Sequence, residues 1–104
     1  MTDMKSGNAA AEAGAEFPHP VLAEIGGVTK TVTFARLADA MDAVRTNLAQ
    51  LPLDDADAAH LAEYFAPHAH DRIARQLAEV GAVRTIAFVG IEAHVIYLRP
   101  AEEA

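Results

Sequence analysis

Two segments of this chain decide its fold, and they read PVLAEIGGVTKTVTF (residues 20–34) and VRTIAFVGIEAHVIYL (residues 83–98). Both are rich in Val, Ile, Thr and aromatic residues, which favour β-strands. Gly26-Gly27 in the first segment and Gly90 in the second are points where the chain can reverse, because glycine adopts positive φ freely. The pattern predicts two β-hairpins on either side of a helical middle.

The two hairpins predict an α+β fold with element order ββααββ, built as a four-stranded antiparallel sheet with helices on one face. A short loop forces antiparallel pairing within each hairpin, whereas the pairing between hairpins stays open. In the first hairpin, a two-residue loop at 26–27 would place Ile25 opposite Val28. The same register would pair Val21 with Val32 and leave the other strand face largely polar.

An amphipathic helix is predicted over residues 34–50. Its apolar side chains recur three and four residues apart, which is the spacing of one helix face; they are Phe34, Leu37, Met41, Val44, Leu48 and Leu51. Thr33 is a candidate N-cap, and Pro52 follows the predicted end.

A second helical region is predicted at 55–66 and 68–80, with acidic residues 54–57 at its start, where they complement the helix dipole. Apolar residues recur every four positions, with Val80 near the same stripe; they are Leu61, Phe65, Ala69, Ile73 and Leu77. Pro67 lies within this stripe and predicts a kink or a break, and Gly81 predicts the end.

A length of 104 residues favours a single domain, which we place at residues 17–100. Residues 1–16 are Ala, Gly, Ser and acidic residues without a sustained apolar period, and we interpret them as a disordered tail. Residues 101–104 are interpreted as a disordered C-terminus.

Composition excludes several classes of function. The chain has no cysteine, which removes disulfides, thiolate ligands and cysteine-dependent catalysis. Its formal net charge is −7 and its basic residues are scattered, so we expect no direct nucleic-acid binding. No apolar run approaches the roughly 18–20 residues of a membrane span, so we expect no membrane association. We predict a small bacterial protein of the cytoplasm, with no cofactor.

His68, His70 and His94 are the weak candidates for a metal site or for acid–base catalysis. A continuous helix cannot aim both His68 and His70 at one ion, because two residues span about 200° around the axis. Their spacing matches no compact ligand motif, and we interpret them as solvated or capping side chains. An acid–base centre would pair one of them with Asp71, Glu63 or Glu92.

The second hairpin is apolar on both alternating faces, although two helices can cover only one. The uncovered face would be either a partner surface, with a homodimer interface as the candidate, or a face wrapped by the N-terminal tail, and the sequence does not distinguish the two sets. The candidate interface residues are Ile86, Phe88, Val95 and Tyr97 from one face and Ile96 and Leu98 from the other. Arg84 is expected roughly opposite Tyr97 if Gly90 and Ile91 form the turn.

Three functional hypotheses follow from these features. The leading one is a non-enzymatic, homodimeric interaction or regulatory module, because the chain shows no nucleotide loop and no nucleophile constellation. The second is an acidic inhibitor or nucleic-acid mimic that docks on a partner with a basic surface through residues 54–57 and Glu63. The third is a small metal-dependent or acid–base enzyme centred on His68, His70 and His94.

Overall fold

The computed structural model describes residues 17–101. The elements in chain order are β1 (Val21–Ile25), β2 (Val32–Phe34), α1 (Leu37–Leu48), α2 (Asp55–Tyr64), a short 3-10 helix (Pro67–Ala69), α3 (His70–Val80), β3 (Val83–Val89) and β4 (Glu92–Pro100). All strand pairs are antiparallel, which confirms the predicted α+β class and the ββααββ order. The predictions for residues 1–16 and 102–104 lie outside the described residues.

The strands form one sheet in the order β2-β1-β4-β3. The two hairpins are joined through β1 and β4, whose pairing runs from Val21 opposite Pro100 to Ile25 opposite Ile96. β1 and β4 are therefore the central strands, and the first strand of the described residues is paired with the last. The short β2 and the seven-residue β3 lie at the two edges.

The predicted register of the first hairpin is wrong by two residues. Val21 lies opposite Phe34 and Ala23 opposite Val32, so the loop spans residues 26–31 instead of two glycines. The N–H groups of Val28 and Thr29 both donate to the carbonyl of Ile25, each at 2.9 Å, and close a wider turn. A shift of two keeps every side chain on its expected face, because strand side chains alternate with period two.

The second hairpin turns at Gly90 and Ile91, with Val89 opposite Glu92. Gly90 has a φ of 63°, which a two-residue hairpin loop requires and glycine supplies without strain. Arg84 lies opposite Tyr97, as predicted from this turn.

The apolar stripe of α1 is confirmed, since Leu37, Met41, Val44 and Leu48 are buried. The predicted start of the helix is wrong. Thr33 pairs with Leu22 inside β2 and cannot cap a helix, so the first helical residue is Leu37.

Pro67 breaks the second helical region, which settles the question that the sequence left open. Ala66 before it is extended, with φ −64° and ψ 155°, because the proline ring disfavours helical geometry in the preceding residue. α2 begins at the N-cap Asp54, whose side chain accepts from the N–H of Asp57 at 2.9 Å. α3 ends at Gly81, which has a φ of 90°.

One apolar core lies between the helices and one face of the sheet. The predicted stripe of residues four apart is buried at all five positions, and with α1 it packs on Val21, Ile25, Ile96 and Leu98. Val80 is 72% exposed, so its predicted place near the stripe is wrong. A spacing of four from Leu77 would place the next buried residue at position 81, and Val80, the last residue of α3, lies one position before it.

Within residues 17–101, no helix has the length and apolar character needed to cross a membrane.

Candidate functional site

The candidate site is the sheet face that points away from the core, which we call the outer face. Strand alternation and the pairing register put its residues on one side. They are Leu22, Glu24, Thr33, Arg84, Ile86, Phe88, Ala93, Val95, Tyr97 and Arg99.

Exposure separates the two faces of the second hairpin sharply. Ile86 and Phe88 are each 47% exposed and Val95 is 40% exposed, whereas Ile96 and Leu98 are 0% exposed. Ile96 and Leu98 are therefore core residues and cannot contact a partner. The interface hypothesis continues with Ile86, Phe88, Val95 and Tyr97.

These apolar side chains form one patch. Ile86 lies opposite Val95, and Phe88 lies opposite Ala93, on adjacent strands. Such cross-strand neighbours on one face have Cβ atoms about 4.5–5.5 Å apart, so their side chains touch. Exposed apolar side chains gathered in this way are typical of an interaction surface, whereas single ones are common on any protein.

The patch is bordered by an aromatic–cation pair. The guanidinium of Arg84 lies 5.3 Å from the centre of the Tyr97 ring, which is a cation–π contact. Tyr97 in turn lies opposite Glu24 on β1. The Arg84–Tyr97 pair therefore lies at the end of the patch away from the Gly90 turn, and Glu24 lies beyond Tyr97 on β1.

The outer face differs in charge from the whole chain. Its strand residues include one acid, Glu24, and two bases, Arg84 and Arg99. The whole chain has a formal net charge of −7. Acidic residues of the described part instead concentrate in the helical segment 37–80, which carries Asp39, Asp42, Asp54, Asp55, Asp57, Glu63, Asp71 and Glu79.

The candidate histidines have separate, local partners. His68 Nε2 lies 2.7 Å from a carboxylate oxygen of Glu63, and both side chains are largely exposed. His70 Nδ1 lies 3.4 Å from a carboxylate oxygen of its neighbour Asp71. These contacts lie around the break between α2 and α3.

His94 has a structural contact on a different element. Its Nδ1 lies 2.8 Å from the carbonyl oxygen of Gly26, and because a carbonyl can only accept, Nδ1 carries the proton. His94 thereby ties β4 to the loop of the first hairpin. Within the described part of the chain, no three His or acidic side chains come together as a metal site.

The acidic start of α2 also has a local explanation. The Asp54 side chain accepts from the N–H of Asp57, and Asp55 lies in the first turn, where the helix dipole favours negative charge. Glu63 is engaged by His68. The acids proposed for docking on a basic partner therefore already stabilise this helix and its end.

Two grooves lie on the helical side. One, of about 490 Å³, lies between α1 and the start of α3 and is lined by Asp39, Asp42, Arg45, Pro67, His70 and Asp71, with Ala38 and Met41. The other, of about 550 Å³, is lined by His60, Glu63, Tyr64, His68, Ala69 and Arg72. Both are open and mix acids with bases.

The polar groups in these grooves hold the helices together. Arg45 donates to the carbonyl of Phe65 at 2.7 Å, and to Asp42 at 2.9 Å. Arg72 donates to the carbonyl of Tyr64 at 2.7 Å and stacks on its ring. Both arginines bind carbonyls at the end of α2, which complements the negative end of the helix dipole. Sequence reasoning missed them because their partners are 20 and 8 residues distant.

The fold and the outer face define a small α+β domain in which residues 17–101 cover one sheet face and leave the other open. No family profile, no curated protein and no solved structure matches this chain.

Proposed function

We propose that this protein is a small, non-enzymatic interaction module that works as a homodimer, assembled through its second hairpin. The observation that carries the proposal is the contiguous apolar patch of Ile86, Phe88 and Val95, each 40–47% exposed. The proposal includes a cytoplasmic location, with which the cysteine-free composition agrees.

Charge favours a second copy as the partner. Two chains of formal net charge −7 repel each other, and the repulsion is smallest where each presents the fewest acids. The outer face carries one acid and two bases, whereas the helical side carries most of the acids. A two-fold dimer also needs only one self-complementary surface, and this face provides apolar, aromatic and cationic groups together.

The geometry gives less support to the other two hypotheses. An acid–base or metal enzyme needs converging side chains, and the candidate histidines are bound to Glu63, Asp71 and Gly26 at separate places. An acidic mimic needs carboxylates free to dock, and Asp54 and Glu63 have partners within the chain.

The proposal is tested by placing a charge at the centre of the patch. Ile86→Glu should yield a folded monomer, because the side chain is 47% exposed in one copy and tolerates a charge there, whereas a two-fold interface around Ile86 would bring two like charges together. Light scattering measures the molar mass, and circular dichroism checks the fold. We expect the wild-type chain to be dimeric at micromolar concentration. The dissociation constant of the variant dimer should be at least tenfold higher.

Val80→Glu is the matched control, since Val80 is 72% exposed on α3, away from the outer face. It replaces an exposed β-branched residue by the same charge and should leave the dimer intact. A wild-type chain that stays monomeric at high micromolar concentration would refute the proposal, as would an Ile86→Glu variant that remains as dimeric as Val80→Glu.

A further inference from the structure

β3 is a sheet edge of a kind that proteins usually protect. Among the described residues it is paired on one side only, with β4, over seven consecutive residues. It contains no proline, its register with β4 is unbroken by a bulge, and its single charged residue is Arg84. Exposed edges are normally shortened, charged or interrupted, because they otherwise pair with other chains. The opposite edge, β2, is only three residues long.

The backbone groups available at this edge can be assigned from the hairpin turn. Val89 and Glu92 close the two-residue loop and form a hydrogen-bonded pair, and such pairs alternate with non-bonded pairs along an antiparallel ladder. Val89, Ala87, Thr85 and Val83 therefore bond to β4. The N–H and C=O groups of Arg84, Ile86 and Phe88 point away from β4, toward the open edge.

We propose that two copies of this chain pair their β3 edges antiparallel, with Ile86 opposite Ile86 of the second copy, to form a continuous eight-stranded sheet. The inference rests on the proposed homodimer and specifies how it is built. Arg84, Ile86 and Phe88 of each copy then exchange backbone hydrogen bonds with the other. Both outer faces lie on the same side, because the two-fold axis is perpendicular to the sheet.

This register is the one that the side chains favour. It places Arg84 of each copy opposite Phe88 of the other, where the guanidinium can stack on the ring. Centring the pair on Arg84 instead would put two like charges directly opposite each other, which destabilises a sheet. In the proposed register the two Arg84 residues are four positions apart along the strands, about 13 Å.

Edge pairing also involves the exposed patch. Ile86 and Phe88 project from β3 itself, so joining the edges brings the patches of two copies together across the new strand pair. The patch extends from the β3 edge to Val95 on β4, whereas Leu22 and Glu24 on β1 are partly covered. A second copy is the one partner certain to carry the complementary Arg84 and Phe88.

Disulfide trapping tests this geometry directly, because the chain has no cysteine of its own. Ile86→Cys should cross-link to itself under oxidised glutathione, since hydrogen-bonded antiparallel pairs have Cα atoms about 5.5 Å apart, within disulfide reach. Val95→Cys is the matched control on the same face. Its two copies would be three strand spacings apart, about 14 Å, and should not cross-link.

The register has its own test. Arg84→Cys and Phe88→Cys should each cross-link poorly alone, and a mixture of the two should form a disulfide between unlike copies. Tagging one variant to change its mass makes this product visible by gel and mass spectrometry. Each reduced variant is first shown to keep the wild-type dimer by light scattering.

The outcomes separate this inference from the homodimer proposal. Rapid trapping of Ile86→Cys, with little trapping of Val95→Cys, supports the edge pairing. Equal or faster trapping of Val95→Cys would mean that two sheets stack face to face, which overturns the edge pairing and keeps the homodimer. A dimeric Ile86→Cys variant that fails to cross-link also overturns it. A monomeric wild-type chain would remove both proposals.

Discussion

At the scale of single residues, the two glycines of the first hairpin have different roles. Gly27 has a φ of 76°, and a Cβ added there would lie 3.1 Å from His94 Nδ1. Gly26 does not have positive φ, and a Cβ there would meet the Val95 backbone at 3.7 Å, which is ordinary contact. Only Gly27 therefore needs to be glycine. The sequence pattern alone predicted both as turn residues with positive φ.

Gly27→Ala should destabilise the protein by roughly 1–2 kcal/mol, the cost of holding a residue with a Cβ in the left-handed region. It should also displace His94 from the carbonyl of Gly26. Gly26→Ala is the control and should change the free energy of unfolding by less than about 1 kcal/mol. Chemical denaturation of both variants checks this, and equal losses would contradict the assigned turn geometry.

At the scale of elements, α1 shows how far a local pattern reaches. Its apolar spacing correctly identified the buried stripe, because burial along a helix follows the 3.6-residue period. Its start was misjudged, since Thr33 and Phe34 pair with β1 in a strand and the first helical residue is Leu37 instead of Phe34. Phe34 fits both the predicted strand and the helical spacing of Leu37 and Met41, so the local pattern does not decide which element contains it. The backbone pairing with β1 makes residues 32–34 a strand instead of a helix.

Leu37→Ala should cost roughly 2–5 kcal/mol, because Leu37 is fully buried where α1 packs on the sheet and the truncation leaves a cavity. Thr46→Ala, on the exposed side of the same helix, should leave stability unchanged or slightly higher, since alanine is the better helix former. Thermal or urea unfolding measures both. Equal destabilisation by the two substitutions would show that the buried stripe lies on another side of the helix.

At the scale of the whole molecule, charge and apolar surface are segregated. The helical side carries most of the described acids, and the outer face carries the exposed Ile86, Phe88 and Val95. Two copies therefore repel each other most strongly through their helical sides and least through their outer faces. The proposed dimer is thus held by apolar and backbone contacts and opposed by net charge.

Salt should therefore strengthen the dimer. Raising NaCl from about 20 to about 300 mM shortens the screening length below roughly 10 Å and weakens the repulsion between two chains of formal net charge −7. We expect the dissociation constant to fall severalfold, measured by sedimentation equilibrium. A dissociation constant that rises with salt would indicate an interface held mainly by opposite charges, contrary to the arrangement proposed here.

The sequence by itself determined the type and order of the elements, the apolar stripes of the helices, an interruption of the second helical region at Pro67 and the turn at Gly90. These features depend on near neighbours: side-chain period, proline and glycine backbone limits, and loop length. It also identified the residues that carry the candidate site, since Ile86, Phe88, Val95 and Tyr97 were among those predicted.

Only the tertiary structure decided which face of the second hairpin is open, because Val83, Ile96 and Leu98 are as apolar as the residues on the other side. The choice depends on which set meets α2 and α3, and on the pairing of β1 with β4 some 75 residues along the chain. It likewise decided that His94 joins the first hairpin while His68 and His70 stay near the helix break. Contacts between distant segments are selected by packing the whole core, and a local sequence pattern does not contain that information.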